Sequence, residues 1–189
     1  MAKRSRQQLG NVPVTIICVN AVTETTISGC LGEGALADSV PLRTASGEFY
    51  NGGFVEKLPF TGFYDLIMKL DTVFDYFQFP QRGTELRTAG KPGPAARYTR
   101  MKEEILPKLT QQWNERVMQK GWGRCATFSV HVCARQNSSW QGRVRWLEGK
   151  REESFRSVLE LMGFMESVLD IEEQSLRIKG TEGLGGTEE

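Results

Sequence analysis

The 189-residue chain is poor in the residues and motifs on which most catalytic and metal chemistry depends. It has one histidine, His131, and four cysteines, none of which belongs to a C-x-x-C pair. The nucleophile motif G-x-S-x-G and the phosphate-loop motif G-x-x-x-x-G-K-[ST] are both missing. The residues therefore supply no convergent acid, base or nucleophile. We rank enzymatic activity last and expect neither a cofactor nor a bound metal ion.

Long apolar runs and an excess of one charge are also missing. No run approaches the length of a membrane span, and the N-terminal MAKRSRQQLG lacks the apolar segment of a secretory signal. Lysine and arginine number 24 against 23 acids, so the net charge of +1 draws the whole chain to neither nucleic acid nor membrane. We expect a cytoplasmic protein with reduced thiols and no membrane partner.

Three residues of the C-terminal half have side chains that can ligate a metal ion. Cys125, His131 and Cys133 share one strand parity, which would project them from the same face of a strand. Their spacing matches no common zinc pattern, and cysteines often pack as small apolar side chains. We therefore interpret them as structural residues.

Two segments align without a gap: Phe60–Asp75 (FTGFYDLIMKLDTVFD) and Phe155–Asp170 (FRSVLELMGFMESVLD). Each has apolar residues at the spacing of an amphipathic helix. Each also has two acids four residues apart, which we expect on the solvated polar face of its helix. These acids are Asp71 and Asp75 in the first segment and Glu166 and Asp170 in the second.

Strand-like sequence precedes each aligned segment. Val12–Ala21 is almost continuously apolar, whereas Thr127–Ala134 and Trp140–Leu147 alternate between apolar and polar residues. Gln136–Ser139 supplies turn residues between the last two, so a hairpin is predicted. Gly149–Ser154 is interpreted as a polar connection, with Ser154 as the helix N-cap.

The simplest architecture is α+β: two ββα repeat units share one antiparallel sheet, with their helices packed on one face, plus a linking helix. The first unit spans 1–89 and contains an inserted loop or hairpin, and the second spans 125–179. Between them, 90–124 is a Gly/Pro linker and basic helix, and 180–189 is a disordered tail. The apolar positions of the linking helix, which step by four, are Ile105, Leu109, Trp113 and Val117.

If the helices cover the apolar side of the second hairpin, its other side is polar and mildly basic. The turn Asn137–Gly142 (NSSWQG) resembles the D/N-x-S-x-x-G motif of PilZ domains, although the partner motif R-x-x-x-R is missing. A sensor of cyclic-dinucleotide-type ligands is therefore one hypothesis. The candidate binding residues of this hairpin and sheet face are His131, Arg135, Gln136, Asn137, Gln141, Arg143 and Arg145.

A second candidate surface is the basic stretch from 82 to 124, in which aromatic residues are interleaved with cations. Lysine and arginine contact phosphates, and aromatic rings stack on the bases of single strands. Direct binding of RNA or DNA is therefore another hypothesis. Its candidate residues are Arg97, Arg100, Lys102, Lys108, Arg116, Lys120 and Arg124.

The C-terminal part also resembles a group of small, functionally uncharacterised proteins of anaerobic Gram-positive bacteria and their mobile elements. The matching residues are Arg135–Gly142 (RQNSSWQG), Trp146 and Phe155–Leu161 (FRSVLEL). This resemblance implies an accessory factor of a phage or plasmid, for example an inhibitor or regulator of a defence system such as CRISPR. The leading hypothesis is accordingly a non-enzymatic binding protein with a protein or ribonucleoprotein partner. A homodimer is also open, because ββα units can complete a sheet by pairing.

Overall fold

The computed structural model describes residues 14–28, 39–83, 96–110, 112, 114–118 and 121–182, without the side chains of 26–28, 39–41, 96–98 and 176–182. These residues form a six-stranded antiparallel sheet and four α-helices, so the α+β class is confirmed. The strands are β1 Val14–Ser28, β2 Ser39–Tyr50, β3 Leu58–Thr61, β4 Ala126–Ala134, β5 Gln141–Trp146 and β6 Arg151–Phe155. The helices are α1 Phe63–Phe77, α2 Ala96–Ile105, α3 Glu115–Met118 and α4 Val158–Glu182.

The strand order is β3-β2-β1-β4-β5-β6, so the first strands of the two halves meet at the centre of the sheet. Val14–Val19 of β1 pairs there with Ala126–His131 of β4. Each half supplies three strands before its helix, one more than the predicted ββα unit. The connection predicted over Gly149–Ser154 was wrong, because Arg151–Phe155 is an edge strand. Of its side chains only Phe155 is buried, so this strand lacks an alternating pattern.

The core lies between one face of the sheet and the helices α1 and α4. The register brings Ile17 opposite both Phe49 and Phe128, so these side chains share a face across three strands. The ring of Phe128 meets Phe164 of α4 edge-to-face, with centroids 6.4 Å apart. Phe63 of α1 and Leu169 of α4 line one small cavity with Ala45 of β2. Both helices therefore cover the same face.

The helix predicted through Ile105, Leu109, Trp113 and Val117 was wrong. Helix α2 ends at Ile105, and Leu106–Lys108 forms one 3-10 turn. Pro107 lacks an N–H group and its ring obstructs further helix. Leu109 is extended and forms a bridge with Phe54. The linker at 90–95 and Trp113 lie outside the described residues.

Helix α4 begins after Ser157 rather than after Ser154. The Ser157 Oγ accepts a hydrogen bond from the Glu160 N–H at 3.1 Å, and the Glu160 carboxylate accepts one from the Arg156 N–H at 2.7 Å. This reciprocal arrangement is close to a capping box. The helix continues to Glu182, beyond the predicted start of the tail at 180, and residues 183–189 lie outside the described part.

None of the helices in the described parts of the chain has both the length and the apolar character needed to cross a membrane.

Candidate functional site

Among the described residues, no helix covers the polar face of the second half of the sheet. On β4 and β5 the side chains opposite to the core include Ser129, His131, Arg143 and Arg145, and we call these four residues the open face. Arg143 stands across from His131, and Arg145 stands across from Ser129. Both arginines are exposed, while His131 and Ser129 are half-buried. The predicted polar, mildly basic sheet surface is present.

Neighbouring acids neutralise the charges of Arg143 and Arg145 only weakly. Glu152 of β6 lies across from Arg145, and its Oε1 is 3.7 Å from the Arg143 Nη1. The Arg143 and Glu152 side chains are 67% and 50% exposed, so water and salt screen this pair. Among the described residues, no ion pair engages the Arg145 guanidinium. Both arginines can therefore reach an external anion.

Residues 121–124 run over β1 on the side of the sheet that carries the open face, and they cover the sheet there. The Cys18 thiol donates to the Gly121 carbonyl at 3.2 Å, and the Thr127 Oγ1 accepts from the Gly123 N–H at 2.7 Å. Gly123 lies so close to the sheet that a Cβ atom would overlap the backbone of Val19. This crossing segment thus ends the open face on the β1 side.

Two buried titratable groups, Cys18 and Tyr50, and one exposed aromatic ring lie in this region. Burial raises the pKa of the Cys18 thiol, and burial together with the neighbouring Cys18 raises the pKa of Tyr50 to about 12. Both groups are therefore protonated at neutral pH. Trp122, by contrast, is 66% exposed beside the exposed Arg124. A solvent-exposed indole next to a cation is suited to stacking against a planar ligand.

The structure does not place Arg135 on the open face, and that expectation was wrong. Arg135 is 4% exposed and extends toward α1. Its Nη1 donates to Asp71 at 3.0 Å and to Asp75 at 2.7 Å, and its Nε donates to the Pro80 carbonyl at 2.7 Å. Arg82 Nη2 binds the same two carboxylates at 2.5 and 2.8 Å. The expectation that Asp71 and Asp75 are solvated was also wrong, because two arginines neutralise them.

The second acidic pair is more exposed. Asp170 and Glu173 both accept hydrogen bonds from the Arg43 guanidinium, and Glu24 lies 3.6 Å from the Arg43 Nε. The hydrogen bond that Arg43 donates to Asp170 is the main cause that raises the pKa of Arg43. Glu166 is exposed at the rim of a small cavity beside Arg43. Asp170 and Glu173 thus tie α4 to Arg43 of β2.

In the hairpin turn the Gln141 side chain bonds across the turn, while Asn137 and Ser138 form its exposed tip. Asn137 and Ser138 are exposed and have positive φ angles of 52° and 57°. The Gln141 amide accepts from the N–H of exposed Gln136 at 3.0 Å and donates to the Gln136 and Arg156 carbonyls. Because Arg135 and Gln141 make internal contacts, the ligand-sensor hypothesis keeps only Arg143 and Arg145 as accessible phosphate ligands.

The basic segment is divided among separate elements. Arg100 and Lys102 belong to α2, Lys108 to the 3-10 turn, Arg116 to α3 and Arg124 to the crossing segment. Arg100, Arg116 and Arg124 are exposed, whereas Lys102 and Lys108 are half-buried. Lys120 lies outside the described residues, as does the side chain of Arg97. The predicted single basic helix is therefore absent from the described part of the chain.

Within the described residues, no three or more histidine, cysteine or acidic side chains are grouped as metal ligands. No family model, no curated protein and no solved structure matches this chain.

Proposed function

We propose that the protein is a non-enzymatic binding protein that docks a protein or ribonucleoprotein partner on the open face. One observation carries the proposal: α1 and α4 cover one side of the sheet, while the other side of β4 and β5 carries two exposed arginines. Arginine is enriched in binding interfaces, and its planar fork matches carboxylate and phosphate groups. A partner with an acidic or phosphate-bearing surface fits this charge.

The surroundings of the buried thiols and carboxylates favour a binding function over catalysis. Burial raises the pKa of both the Cys18 and the Cys125 thiols, which disfavours a nucleophilic thiolate. The carboxylates of Asp71 and Asp75, whose side chains are 14% and 26% exposed, are held by Arg82 and Arg135. These groups are therefore engaged in holding the fold together.

The proposal also includes the biological setting in which the protein acts. The resemblance of Arg135–Gly142 and Phe155–Leu161 to mobile-element proteins supports an accessory factor of a phage or plasmid that acts in the cytoplasm. Its partner would be a host defence complex, for example a CRISPR effector, which the protein inhibits or regulates. The negatively charged guide RNA of such a complex is complementary to Arg143 and Arg145.

Direct binding of single-stranded RNA or DNA is the second candidate. The exposed Trp122 ring beside Arg124 favours it, because a stacking ring and a cation together hold a base and its phosphate. The two residues lie on the segment that borders the open face, so a strand can contact both regions.

A capture experiment with matched variants tests the proposal. The tagged protein is incubated with lysate of a host bacterium, and the captured proteins are identified by mass spectrometry. The Arg143→Ala/Arg145→Ala variant should lose one dominant partner that wild type retains. The control Arg100→Ala/Arg151→Ala removes the same charge elsewhere and should retain it. If all three proteins capture the same partner equally, the open face is not the docking surface.

A gel-shift assay at low salt tests direct binding of single-stranded RNA or DNA and distinguishes it from docking of a protein partner. Direct binding predicts a shift of single-stranded RNA or DNA that weakens steeply with added salt and with Trp122→Ala. A shift that is equal for wild type and Trp122→Ala would exclude stacking on this ring.

A further inference from the structure

A cleft of about 570 Å³ lies between the loop that follows β2 and the short helix α3. Its volume is within the range of small-molecule sites in proteins. One wall comes from residues 55–57 and the other from residues 114–117. The lining residues are Val55, Glu56, Lys57, Asn114, Arg116 and Val117.

Hydrogen bonds between residues 52–55 and residues 108–114 join the two segments that carry the walls, so the cleft is preformed. Three of them join backbone groups, and the fourth is donated by the Asn114 side chain. They are Val55 N to Lys108 O at 2.8 Å, Thr110 N to Gly53 O at 2.8 Å, Asn114 N to Gly52 O at 2.6 Å and Asn114 Nδ2 to Phe54 O at 3.1 Å. The Asn114 Oδ1 also accepts from the Arg116 N–H at 3.2 Å, which fixes the start of α3.

Each wall contributes one cation. The Lys57 Nζ lies 4.9 Å from the centre of the Tyr50 ring and 3.4 Å from the Glu48 carboxylate, and these contacts position its ammonium group. Arg116 is exposed, and no ion pair engages its guanidinium among the described residues. The cleft thus contains one cation, Lys57, that its neighbours hold in position, and a second, Arg116, whose guanidinium can bind a ligand.

The remaining lining residues suit an organic ligand. Val55 is exposed and Val117 is buried, so they offer apolar contact beside the two cations. Glu56 is the one acid among the described residues that line the cleft. Its carboxylate lies 3.3 Å from the Lys108 Nζ, which offsets its charge.

We propose that this cleft binds a phosphate monoester, with the phosphate between Lys57 and Arg116 and the organic part against Val55 and Val117. A phosphate monoester carries a charge of about −1.5 to −2 at neutral pH, so it is attracted to both cations, while Glu48 offsets part of the charge of Lys57. Its oxygens also accept the paired hydrogen bonds of a guanidinium. The same group occurs on a free nucleotide and at the 5′ end of a nucleic-acid strand. The cleft uses no residue of the open face, so this proposal is independent of the proposed partner.

Calorimetric titration of the whole chain with adenosine 5′-monophosphate tests the site. We expect binding to one site, weakened about tenfold or more by Arg116→Gln, because a hydrogen bond to a charged group contributes on that order. Arg156→Gln removes an exposed cation that does not line the cleft, so it is the matched control and should bind as wild type does. Lys57→Gln should also weaken binding, and its melting temperature shows whether loss of the Glu48 contact has damaged the fold.

Short single-stranded RNAs with a 5′-phosphate or a 5′-hydroxyl identify the source of the phosphate. Tight binding of the mononucleotide supports a free nucleotide. Binding of only the 5′-phosphorylated RNA, with the same loss in Arg116→Gln, supports a strand end. The proposal is overturned if neither the mononucleotide nor the 5′-phosphorylated RNA binds at millimolar concentration. It is also overturned if wild type and Arg116→Gln bind these ligands equally. Arg143→Ala/Arg145→Ala should leave the titration unchanged, so failure of the open face and failure of the cleft are distinguishable.

Discussion

The stability of the fold should depend strongly on Arg135. Replacing it with alanine removes one guanidinium from a cluster in which Asp71 and Asp75 share two arginines. It also leaves the Pro80 carbonyl without the hydrogen bond that it accepts from Nε at 2.7 Å. The two carboxylates would then depend on Arg82 alone.

The size of the loss follows from the burial of the cluster. Removing one partner of a buried ion pair costs about 3–5 kcal/mol. The Asp71 and Asp75 side chains retain 14% and 26% exposure, and Arg82 still binds both, so we expect the lower end, about 3 kcal/mol. A loss of that size is a large part of the roughly 5–15 kcal/mol that stabilises a typical domain.

Urea unfolding followed by circular dichroism at pH 7 measures this effect. The exposed Arg143→Ala serves as the control, and its free energy of unfolding should stay within about 0.5 kcal/mol of wild type. Adding Asp71→Asn to Arg135→Ala should recover part of the loss, since it removes an uncompensated buried charge. If Arg135→Ala loses no more than Arg143→Ala, the cluster does not stabilise the fold and the reasoning is wrong.

Three further predictions concern single positions. In Gly163→Ala no neighbouring atom lies within 4 Å of the added Cβ, so the free energy of unfolding should rise by about 0.5–1 kcal/mol at this exposed helical site. In Gly142→Ala the added Cβ overlaps the His131 carbonyl, so the melting temperature should fall. The pKa of Tyr50 is about 12 in the folded state against an ordinary 10.0, so its contribution is fully present below pH 10 and is lost as the pH rises to 12. Tyr50→Phe should therefore flatten the fall in unfolding free energy between these values, and equal slopes would contradict the assignment.

Features that depend on short-range periodicity could be predicted from the sequence. The alternation of Thr127–Ala134 indicates a strand, and β4 begins one residue earlier, at Ala126. The same alternation places Ser129 and His131 on the face away from the core, where the structure has them. These predictions succeed because a strand turns successive side chains to opposite faces regardless of its partners.

Features that depend on distant partners could not be predicted. Asp71 has the spacing of a solvated helical acid, but Arg135, which binds it, lies 64 residues later in the chain. Lys57 has no motif around it, and it becomes part of a candidate site only because α3 folds against its loop. Arg151–Phe155 has no apolar alternation, because an edge strand gains its order from backbone pairing with β5.

The two halves of the chain stabilise each other across the centre of the sheet. The acids of α1 bind Arg135, which follows β4, and Asp170 of α4 binds Arg43 of β2. Each long helix is thus tied to the half of the chain from which it does not come. Separating β1 from β4 would break these ion pairs as well as the backbone ladder, so the sheet should move as one unit. A rigid sheet holds Arg143 and Arg145 at fixed positions, and a partner that binds the open face then loses little free energy to ordering it.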